Sequence, residues 1–506
     1  MDDQRPPSLW WSMWKRFLIG GALIVLLSGA ATATVALNTV SGIAGEVFPK
    51  LNQINAPKGV VTPVYSGGPQ TFLILGSDRR TGSKNSEERN AEAHSDTILL
   101  VRFDPEQGQT SVLSIPRDLL VDITTESGQV YAHEKINAAY TIGSRMKGTD
   151  GGARLAALTL KHELPGLTIN GIVDVTFKGF INVVDTLGCV YVNVDHRYYN
   201  PPNSGYTAID LQPGYQKLCY ENALDYVRYR HTDSDFVRVA RQQDFIRDLR
   251  EQISPEDVLG QIHKVAKAVG RSISSSFHAS ASQLIELAKL IAFSQGKPLR
   301  QVKFRTTNVN YQLGGGSYVT SSPALIQATL NDFLHGRQKV SLPPSKPRAA
   351  AHGRRGSSAN ASPAAIGLYP TSGQSQAVSA ALSVPFRVLY PSLQTGSASQ
   401  QQVHSYVLRD NHNRLRHAYV AVWQQNGLGG YYDLEGTDWT NPPLIAHPDE
   451  SRKIAGHTYM IFSDGGHIHT VAWRIGHVLY WLTNTLLEDL TNQQMLGIAR
   501  SAQGLH

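Results

Sequence analysis

The chain has 506 residues, of which 41% are hydrophobic and 17% are charged. This composition excludes a wholly disordered protein, and the length is sufficient for two or three domains, each with its own core. The formal charge of +7 suits an anionic surface or ligand, but the basic residues are not gathered in one run, so we expect no nucleic-acid partner.

An uncharged apolar segment near the N-terminus, residues 17–37, is about the length that crosses the core of a bilayer. Three tryptophans and the pair Lys15 and Arg16 precede it, as interfacial anchors and positive flank. The segment predicts a cytoplasmic tail over 1–16, a single transmembrane helix in the cell membrane, and an extracellular remainder. A cleavable signal peptide is the alternative, because Ala-rich residues at the end of the segment offer a cleavage site.

The elements that follow a stalk over 38–67 alternate between strands and helices. Apolar runs bounded by turn residues predict strands at 71–75, 96–104, 110–118 and 189–195. Helical periodicity and proline-containing first turns predict helices at 152–164, 177–188, 254–269, 280–295 and 322–336. This alternation predicts an α/β or α+β layered domain over 68–336.

The chain has only two cysteines, Cys189 and Cys219, and both follow the apolar segment. An even pair outside the cytosol is more often a disulfide than a metal site or a nucleophile. We therefore expect a disulfide between them, and two buried free thiols are the alternative.

A Pro-, Ser-, Ala- and Arg-rich stretch over 337–365 buries too little apolar surface to fold alone, and we expect a disordered linker there. Strand-like segments then lead to a closing helix around 491–502. They predict a C-terminal α+β domain over 366–506, whose role the sequence does not specify.

Residues 226–250 contain six arginines and no lysine. Guanidinium groups match phosphate and carboxylate edges with two parallel hydrogen bonds, which an ammonium group does not do. A strand over "YVRYR" would place Tyr226, Arg228 and Arg230 on one side. A solvated, salt-bridged helix is the alternative, because five nearby aspartates nearly balance the charge.

The following segment has helical spacing, and its apolar stripe includes Phe245 and Leu249. Arg238 and Gln242 fall on the same stripe, one and two turns closer to the helix start. An arginine that points towards the core needs an anionic partner, because a buried unpaired charge is costly. That partner is either an internal aspartate, Asp233 or Asp235, or a bound phosphate at the helix N-terminus.

Polar residues also mark the ends of the predicted strands. Asp78 and Arg80 follow the first strand, Asp96 opens the second, and Arg117 follows the third. Ligands in layered α/β folds bind at such strand ends. Carboxylates mixed with arginines around a phosphate are typical of a site where a divalent cation bridges protein and phosphate.

Six segments between residues 71 and 253 resemble, in order and character, the LytR-CpsA-Psr family of cell-envelope proteins. They are "TFLILGSDRR", "SDTILLVRFDP", "VLSIPRDLLVDI", "EKINAAYTIG", "VDVTFKGFINVVDTLGCVYVNV" and "ENALDYVRYRHTDSDFVRVARQQ". The resemblance implies a central mixed sheet between helices, with the lipid tail of the substrate in an apolar pocket. Candidate walls of that pocket are 157–164 and 180–187, although core packing is the commoner use of such residues.

The resemblance also implies an activity: transfer of a glycopolymer from a polyprenyl-pyrophosphate carrier to peptidoglycan, with formation of a phosphodiester. It implies Mg²⁺ or another divalent cation at Asp78 and Asp96. The residues that it implies for pyrophosphate binding are Arg80, Arg117, Arg228, Arg230, Arg238 and Gln242. Of the site residues, Asp96, Arg117 and Arg228 are the catalytic candidates, and Asp96 either orients or deprotonates the acceptor hydroxyl or holds the cation.

One departure from the family pattern is the short "HTDSD" between the two groups of arginines. It leaves Asp235 as the match of the acidic residue before Arg238.

Two other functions use the same residues and remain open: hydrolysis of a lipid pyrophosphate, with water as acceptor, and a non-catalytic role in envelope regulation or binding.

Overall fold

The computed structural model describes residues 52–56, 59–64, 67–79, 93–147, 150–203, 207–230, 233–252, 273–276, 299–336, 363–371, 375–425, 430–454, 456–464 and 466–505. Arg80, the predicted transmembrane segment, the predicted helices at 254–269 and 280–295 and most of the predicted linker lie outside these ranges. Among the helices that the structure describes, none is long and apolar enough to cross a membrane.

Strands of the first domain are short and are interleaved with helices. The strands are β1 (Asn52–Gln53), β2 (Gln70–Ser77), β3 (Ser95–Asp104), β4 (Gln109–Ser114), β5 (Leu120–Thr124), β6 (Val130–Lys135), β7 (Gly171–Thr176), β8 (Val190–Val194), β9 (Tyr198–Asn200), β10 (Ile209–Leu211), β11 (Gly214–Leu218), β12 (Ile273–Ser275), β13 (Leu299–Val302), β14 (Asn308–Leu313) and β15 (Gly316–Thr320). The helices are α1 (Ile136–Lys147), α2 (Gly151–Glu163), α3 (Phe177–Thr186), α4 (Tyr220–Arg228), α5 (Asp235–Gln252) and α6 (Pro323–His335).

A seven-stranded mixed sheet in the order β1-β12-β7-β2-β3-β4-β13 forms the centre of this domain. Side chains alternate between its faces, so that Leu73 and Leu75 of β2 pack in the core cluster that includes α1 and α2. The other face packs Ile74 and neighbouring apolar residues against Ile246 of α5. Helices therefore cover both faces, and the prediction of a mixed α+β domain with a central sheet is confirmed.

Local sequence signals explain where several helices begin. Thr176 caps α3 by accepting a hydrogen bond from the backbone of Gly179 at 3.2 Å, and Ser322 caps α6 with Pro323 in its first turn. Small polar residues in these positions satisfy amide groups that have no partner inside the helix. These starts match the predicted helices at 177–188 and 322–336.

A disulfide joins Cys189, just after α3, to Cys219, just before α4. Their Cα atoms lie 4.8 Å apart. The link ties the start of α4 to the end of α3, which positions the helix that ends at Arg228.

The second domain contains a seven-stranded antiparallel sheet in the order β19-β20-β21-β25-β24-β23-β22. Its strands are β16 (Leu368–Pro370), β17 (Leu389–Pro391), β18 (Leu393–Thr395), β19 (Ala398–Arg409), β20 (Leu415–Gln425), β21 (Gly430–Thr437), β22 (Glu450–Ile454), β23 (His457–Asp464), β24 (His467–Ile475), β25 (Val478–Thr483) and β26 (Ala502–Gly504). The helices α7 (Ser375–Ala381) and α8 (Asn492–Ser501) accompany it. A capping box between Thr491 and Gln494 starts α8, in agreement with the predicted closing helix.

The two domains are packed against each other. One face of the second sheet packs on α7 and α8. The other face contributes Trp481, and the loop after β21 contributes Trp439, to a cluster with Tyr191 and Tyr215 of the first domain. Polar contacts accompany the aromatic ones, since Asn193 donates to both carboxylate oxygens of Asp433 at 3.1 Å. The second domain is therefore docked on the antiparallel pair of strands β8 and β11, which precedes α4.

One local prediction is wrong. "YVRYR" does not form a strand, because α4 continues through Tyr226 to Arg228. Ala223, Tyr226 and Val227 have helical spacing and bury their side chains in one cluster with Phe245 of α5. Burial on a helical face therefore outweighs the strand preference of a short Tyr- and Val-rich run. The prediction that Tyr226 and Arg228 point to the same side is also wrong, because Tyr226 is buried and Arg228 is exposed.

The contact between α1 and α2 depends on glycine. A Cβ atom at Gly143 would lie 2.2 Å from the carbonyl oxygen of Gly151 and 2.8 Å from Cβ of Leu155. Since the clash at 2.2 Å is with a backbone oxygen, rotating a side chain would not relieve it. We expect Gly143→Ala to destabilise the protein by about 1–3 kcal/mol, the usual effect of overpacking, which thermal unfolding measures.

The matched control is Met146→Ala in the same helix, because Met146 is 49% exposed. We expect Met146→Ala to change the unfolding temperature little. An unchanged or higher unfolding temperature for Gly143→Ala would show that the helices have room for a methyl group.

Candidate functional site

The register of three strands brings the predicted acidic and basic residues to one edge of the sheet. β2 and β3 are antiparallel with Ser77 paired to Ser95, so that the residues next to this pair, Asp78 and Asp96, lie at the same edge. β4 is antiparallel to β3, with Ser114 opposite Leu99. The chain that leaves β4 towards Arg117 therefore returns to the same edge.

Asp78 is held by the backbone of the segment that enters β3. One of its carboxylate oxygens accepts a hydrogen bond from the backbone N–H of His94 at 2.6 Å. Burial raises the pKa of Asp78, and the negative charge of Asp96 acts in the same direction. The two carboxylates are thus close enough to influence each other.

Asp96 forms a direct ion pair with Arg117, whose Nη1 lies 2.7 Å from Oδ1 of Asp96. Burial acts to raise the pKa of Asp96, but the charges of Arg117 and Arg238 outweigh it and hold the pKa below its usual range. Asp96 is therefore ionised at neutral pH. Its side chain remains 41% exposed, which leaves it accessible to a ligand.

The start of α5 adds a second arginine to the same place. Arg238 is only 4% exposed, and its Nη2 lies 2.6 Å from Oδ1 of Asp235 and 3.1 Å from the backbone oxygen of Asp96. Burial lowers the pKa of Arg238 and raises that of Asp235, because both ions lose water. Of the two internal partners predicted for Arg238, the structure selects Asp235.

Gln242 links this cluster to the end of α4. Its Nε2 donates at 3.1 Å both to the hydroxyl of Thr97 and to the backbone oxygen of Val227. Arg228 follows Val227 directly, and its guanidinium lies 4.0 Å above the ring of Phe177. Arg228 and Arg230 are both exposed, so that they extend the positive surface beyond the buried Arg238.

The structure thus unites most of the predicted site. Direct contacts connect Asp96, Arg117 and Arg238. Gln242 joins this group through Thr97, the neighbour of Asp96 in the chain, and through Val227, the neighbour of Arg228. Arg80 lies outside the described residues. The neighbouring Arg79 lies 3.5 Å from the buried Asp174 and donates to the hydroxyl of Ser274 at 3.0 Å. These contacts give Arg79 a role in stabilising the fold.

One important residue was missed by the sequence prediction. Arg241 is completely buried and forms an ion pair with Asp233. The signal was present, because Val237, Arg241 and Phe245 follow one another at four-residue spacing on the buried face of α5.

The donor atoms of the site suit Mg²⁺. Asp78 and Asp96 offer only oxygen ligands, and their side chains are 36% and 41% exposed. In the part of the chain that the structure describes, no group of three or more His, Cys, Asp or Glu residues is arranged to hold a metal ion. Two carboxylates fit Mg²⁺ when substrate phosphates and water supply the other ligands. The charges of these carboxylates and of the arginines suit a phosphorylated anion that is accompanied by a cation.

Comparison with known proteins finds several that are similar to this chain. The chain is 27% identical to Biofilm regulatory protein A of Streptococcus mutans, over 62% of this chain and 75% of that protein. It is 26% identical to the probable cell wall biosynthesis protein LcpB of Corynebacterium glutamicum, over 52% of this chain and 61% of LcpB. A crystal structure of protein gbs0355 from Streptococcus agalactiae aligns with 53% of this chain and 86% of its own, at 23% identity and a TM-score of 0.44.

The chain spans less than two thirds of some of these relatives, such as the 61% of LcpB. The family assignment rests on a different match. The model of the LytR_cpsA_psr family matches residues 45–332, more than half of the chain and all of the segments that form the site. The chain belongs to the LytR-CpsA-Psr family.

Proposed function

We propose that the chain is an extracytoplasmic phosphotransferase, which moves a glycopolymer from a polyprenyl-pyrophosphate carrier to peptidoglycan and forms a phosphodiester. Membership of the family supports a role in the cell envelope, as does the similarity to a probable cell wall biosynthesis protein. The observation that carries the proposal is the approach of two arginines, Arg117 and Arg238, to Asp96 at an exposed strand edge.

The arginines bind the diphosphate and withdraw charge from its oxygens. Phosphoryl transfer depends mainly on positioning and on neutralising the charge of the phosphate oxygens. Arg117 and Arg238 are fixed by Asp96 and Asp235, so that they are oriented before the substrate arrives. Arg228 and Arg230 supply further guanidinium groups from the exposed side.

Asp96 is ionised and accessible, so that it can serve either the acceptor hydroxyl or the cation. The acceptor hydroxyl gives its proton to Asp96 or to the departing phosphate, and its oxygen forms a bond to the phosphorus that bears the glycan. The bond from this phosphorus to the bridging oxygen breaks, and polyprenyl phosphate leaves. Asp96 orients or deprotonates the hydroxyl, or it holds the cation together with Asp78. When bound there, Mg²⁺ neutralises charge on the phosphate oxygens.

The lipid tail of the donor lies along α3. Phe177, Phe180 and Ile181 are half-buried apolar residues on this helix, and Phe177 contacts the guanidinium of Arg228. An apolar wall therefore begins next to the proposed phosphate site. The segment at 17–37 would anchor the protein in the cell membrane and keep this wall near the carrier lipid.

The proposal is tested with purified protein, a lipid-pyrophosphate-linked glycan as donor, and peptidoglycan as acceptor. We expect the glycan to become attached to peptidoglycan, and we expect Arg228→Ala to reduce this transfer by about 100-fold or more, as when a charge-stabilising group is removed. Because Arg228 is exposed, the unfolding temperature should change little.

The matched control is Arg305→Ala, since Arg305 is 51% exposed and lies outside the proposed site. It should retain normal transfer. Release of the lipid phosphate at the same rate without peptidoglycan would favour a hydrolase. Absence of both reactions would favour a regulatory or binding role, as the name of the Streptococcus mutans relative suggests.

The site also predicts a pH dependence. Burial raises the pKa of Asp225 to about 6, although Arg228 acts to lower it. Above this pH the carboxylate is ionised and competes with phosphate for Arg228, whereas below it the carboxylate is neutral. We expect Asp225→Asn to tighten the binding of geranylgeranyl pyrophosphate at pH 7.5, by up to about five-fold, and to have no effect at pH 5.

Calorimetric titration at both pH values measures this ratio. The control is Glu106→Gln, an exposed carboxylate in the turn at the opposite edge of the sheet, which should leave binding unchanged at both. An equal effect of Asp225→Asn at pH 5 and pH 7.5 would contradict the assignment of the titration to Asp225.

A further inference from the structure

A buried polar network lies directly behind the exposed arginines, and the proposed reaction does not use it. Arg241 donates through Nη1 to the backbone oxygens of Tyr226 at 3.3 Å and Tyr229 at 2.8 Å. These two carbonyl groups flank Arg228 in the chain. Arg241 therefore fixes the backbone from which Arg228 and Arg230 project.

The orientation of Arg241 is set by a second group of contacts. Its Nε donates to the hydroxyl of Tyr198 at 3.0 Å, and its Nη2 forms an ion pair with Asp233. The guanidinium also lies 4.4 Å from the centre of the Tyr198 ring. Since Arg241 and Asp233 are 0% and 1% exposed, solvent does not compete for these bonds, and each partner restricts the other.

His196 connects this network to the second domain. Its Nδ1 lies 3.1 Å from Asp195 and its Nε2 lies 3.7 Å from Asp233. The ring stacks on Tyr431, with centroids 3.9 Å apart and an angle of 14° between the planes. Tyr431 belongs to β21 of the C-terminal domain, so that a residue of this domain covers a ring that lies beside Asp233.

We propose that the C-terminal domain positions the exposed arginines of the site through the sequence of contacts Tyr431, His196, Asp233 and Arg241. Tyr431 stacks on the imidazole and limits its movement, the imidazole packs beside Asp233, and Asp233 orients Arg241 through their ion pair. Tyr431 and Arg241 are thus positioning residues. This inference rests on the proposed function, because it assigns a role in binding the diphosphate of the donor.

The full chain, titrated with geranylgeranyl pyrophosphate in a calorimeter, tests the inference. We expect Tyr431→Ala to weaken binding by about five-fold, the factor that corresponds to the loss of one aromatic pair. Tyr431→Phe keeps the ring and should bind like the wild type. Tyr369→Ala removes a 48% exposed tyrosine of the same domain, and it should also bind normally.

A second variant replaces His196, the other residue of the ring stack. His196→Gln removes the imidazole, and we expect it to weaken binding by a similar factor. Because both changes interrupt one set of contacts, the double variant should bind no more weakly than the single variants. The unfolding temperature of each variant shows whether the protein remains folded.

The outcomes separate the two proposals. If the wild type does not bind geranylgeranyl pyrophosphate, the proposed function fails. If the wild type binds it and Tyr431→Ala binds equally well, the positioning role fails while the proposed function stands. Equal weakening by Tyr431→Ala and Tyr369→Ala would also contradict the positioning role, because it would reflect general destabilisation.

Discussion

The structure of the site depends on the placement of buried guanidinium groups against aspartates. A buried arginine without a partner costs several kcal/mol, and α5 carries two that are almost entirely removed from water, Arg238 and Arg241. Asp235 satisfies the first and Asp233 the second. These pairs fix the start of α5 next to the edge where β2, β3 and β4 place Asp78, Asp96 and Arg117. The exposed Arg228 and Arg230 extend this positive surface.

The same helix connects the site to the rest of the molecule. Ile246 packs on the central sheet, whereas Phe245 packs on α4 and its neighbours. Near its end, Gln252 exchanges hydrogen bonds with the backbone of Tyr191 at 2.8 Å and 2.6 Å. Because Tyr191 also packs on Trp439 of the second domain, that domain contacts the strands which precede the arginines. A continuous set of contacts thus connects the C-terminal domain to α5, whose first turn contributes Arg238 to the site.

Much of this could be predicted from sequence, because the signals were local. Apolar runs bounded by turn residues identified β2, β3 and β4, and carboxylates at their ends located the edge where the site forms. Helical spacing placed Arg238 and Gln242 towards the core. The strand expected at "YVRYR" failed because burial of Ala223, Tyr226 and Val227 against α5 is a tertiary effect. The contacts of Tyr191 and Tyr431 between the domains could not be predicted for the same reason. The sequence does not distinguish an aromatic residue buried in a domain core from one buried between two domains.

The central claim is that guanidinium groups from separate elements converge on one diphosphate. A crystal structure of the protein with geranylgeranyl pyrophosphate tests it most directly. The account predicts phosphate oxygens within hydrogen-bonding distance of Arg117, Arg228 and Arg238, beside Asp96, with the prenyl chain along Phe177 and α3. A diphosphate bound away from this strand edge, with these arginines still engaged only by aspartates, would contradict it.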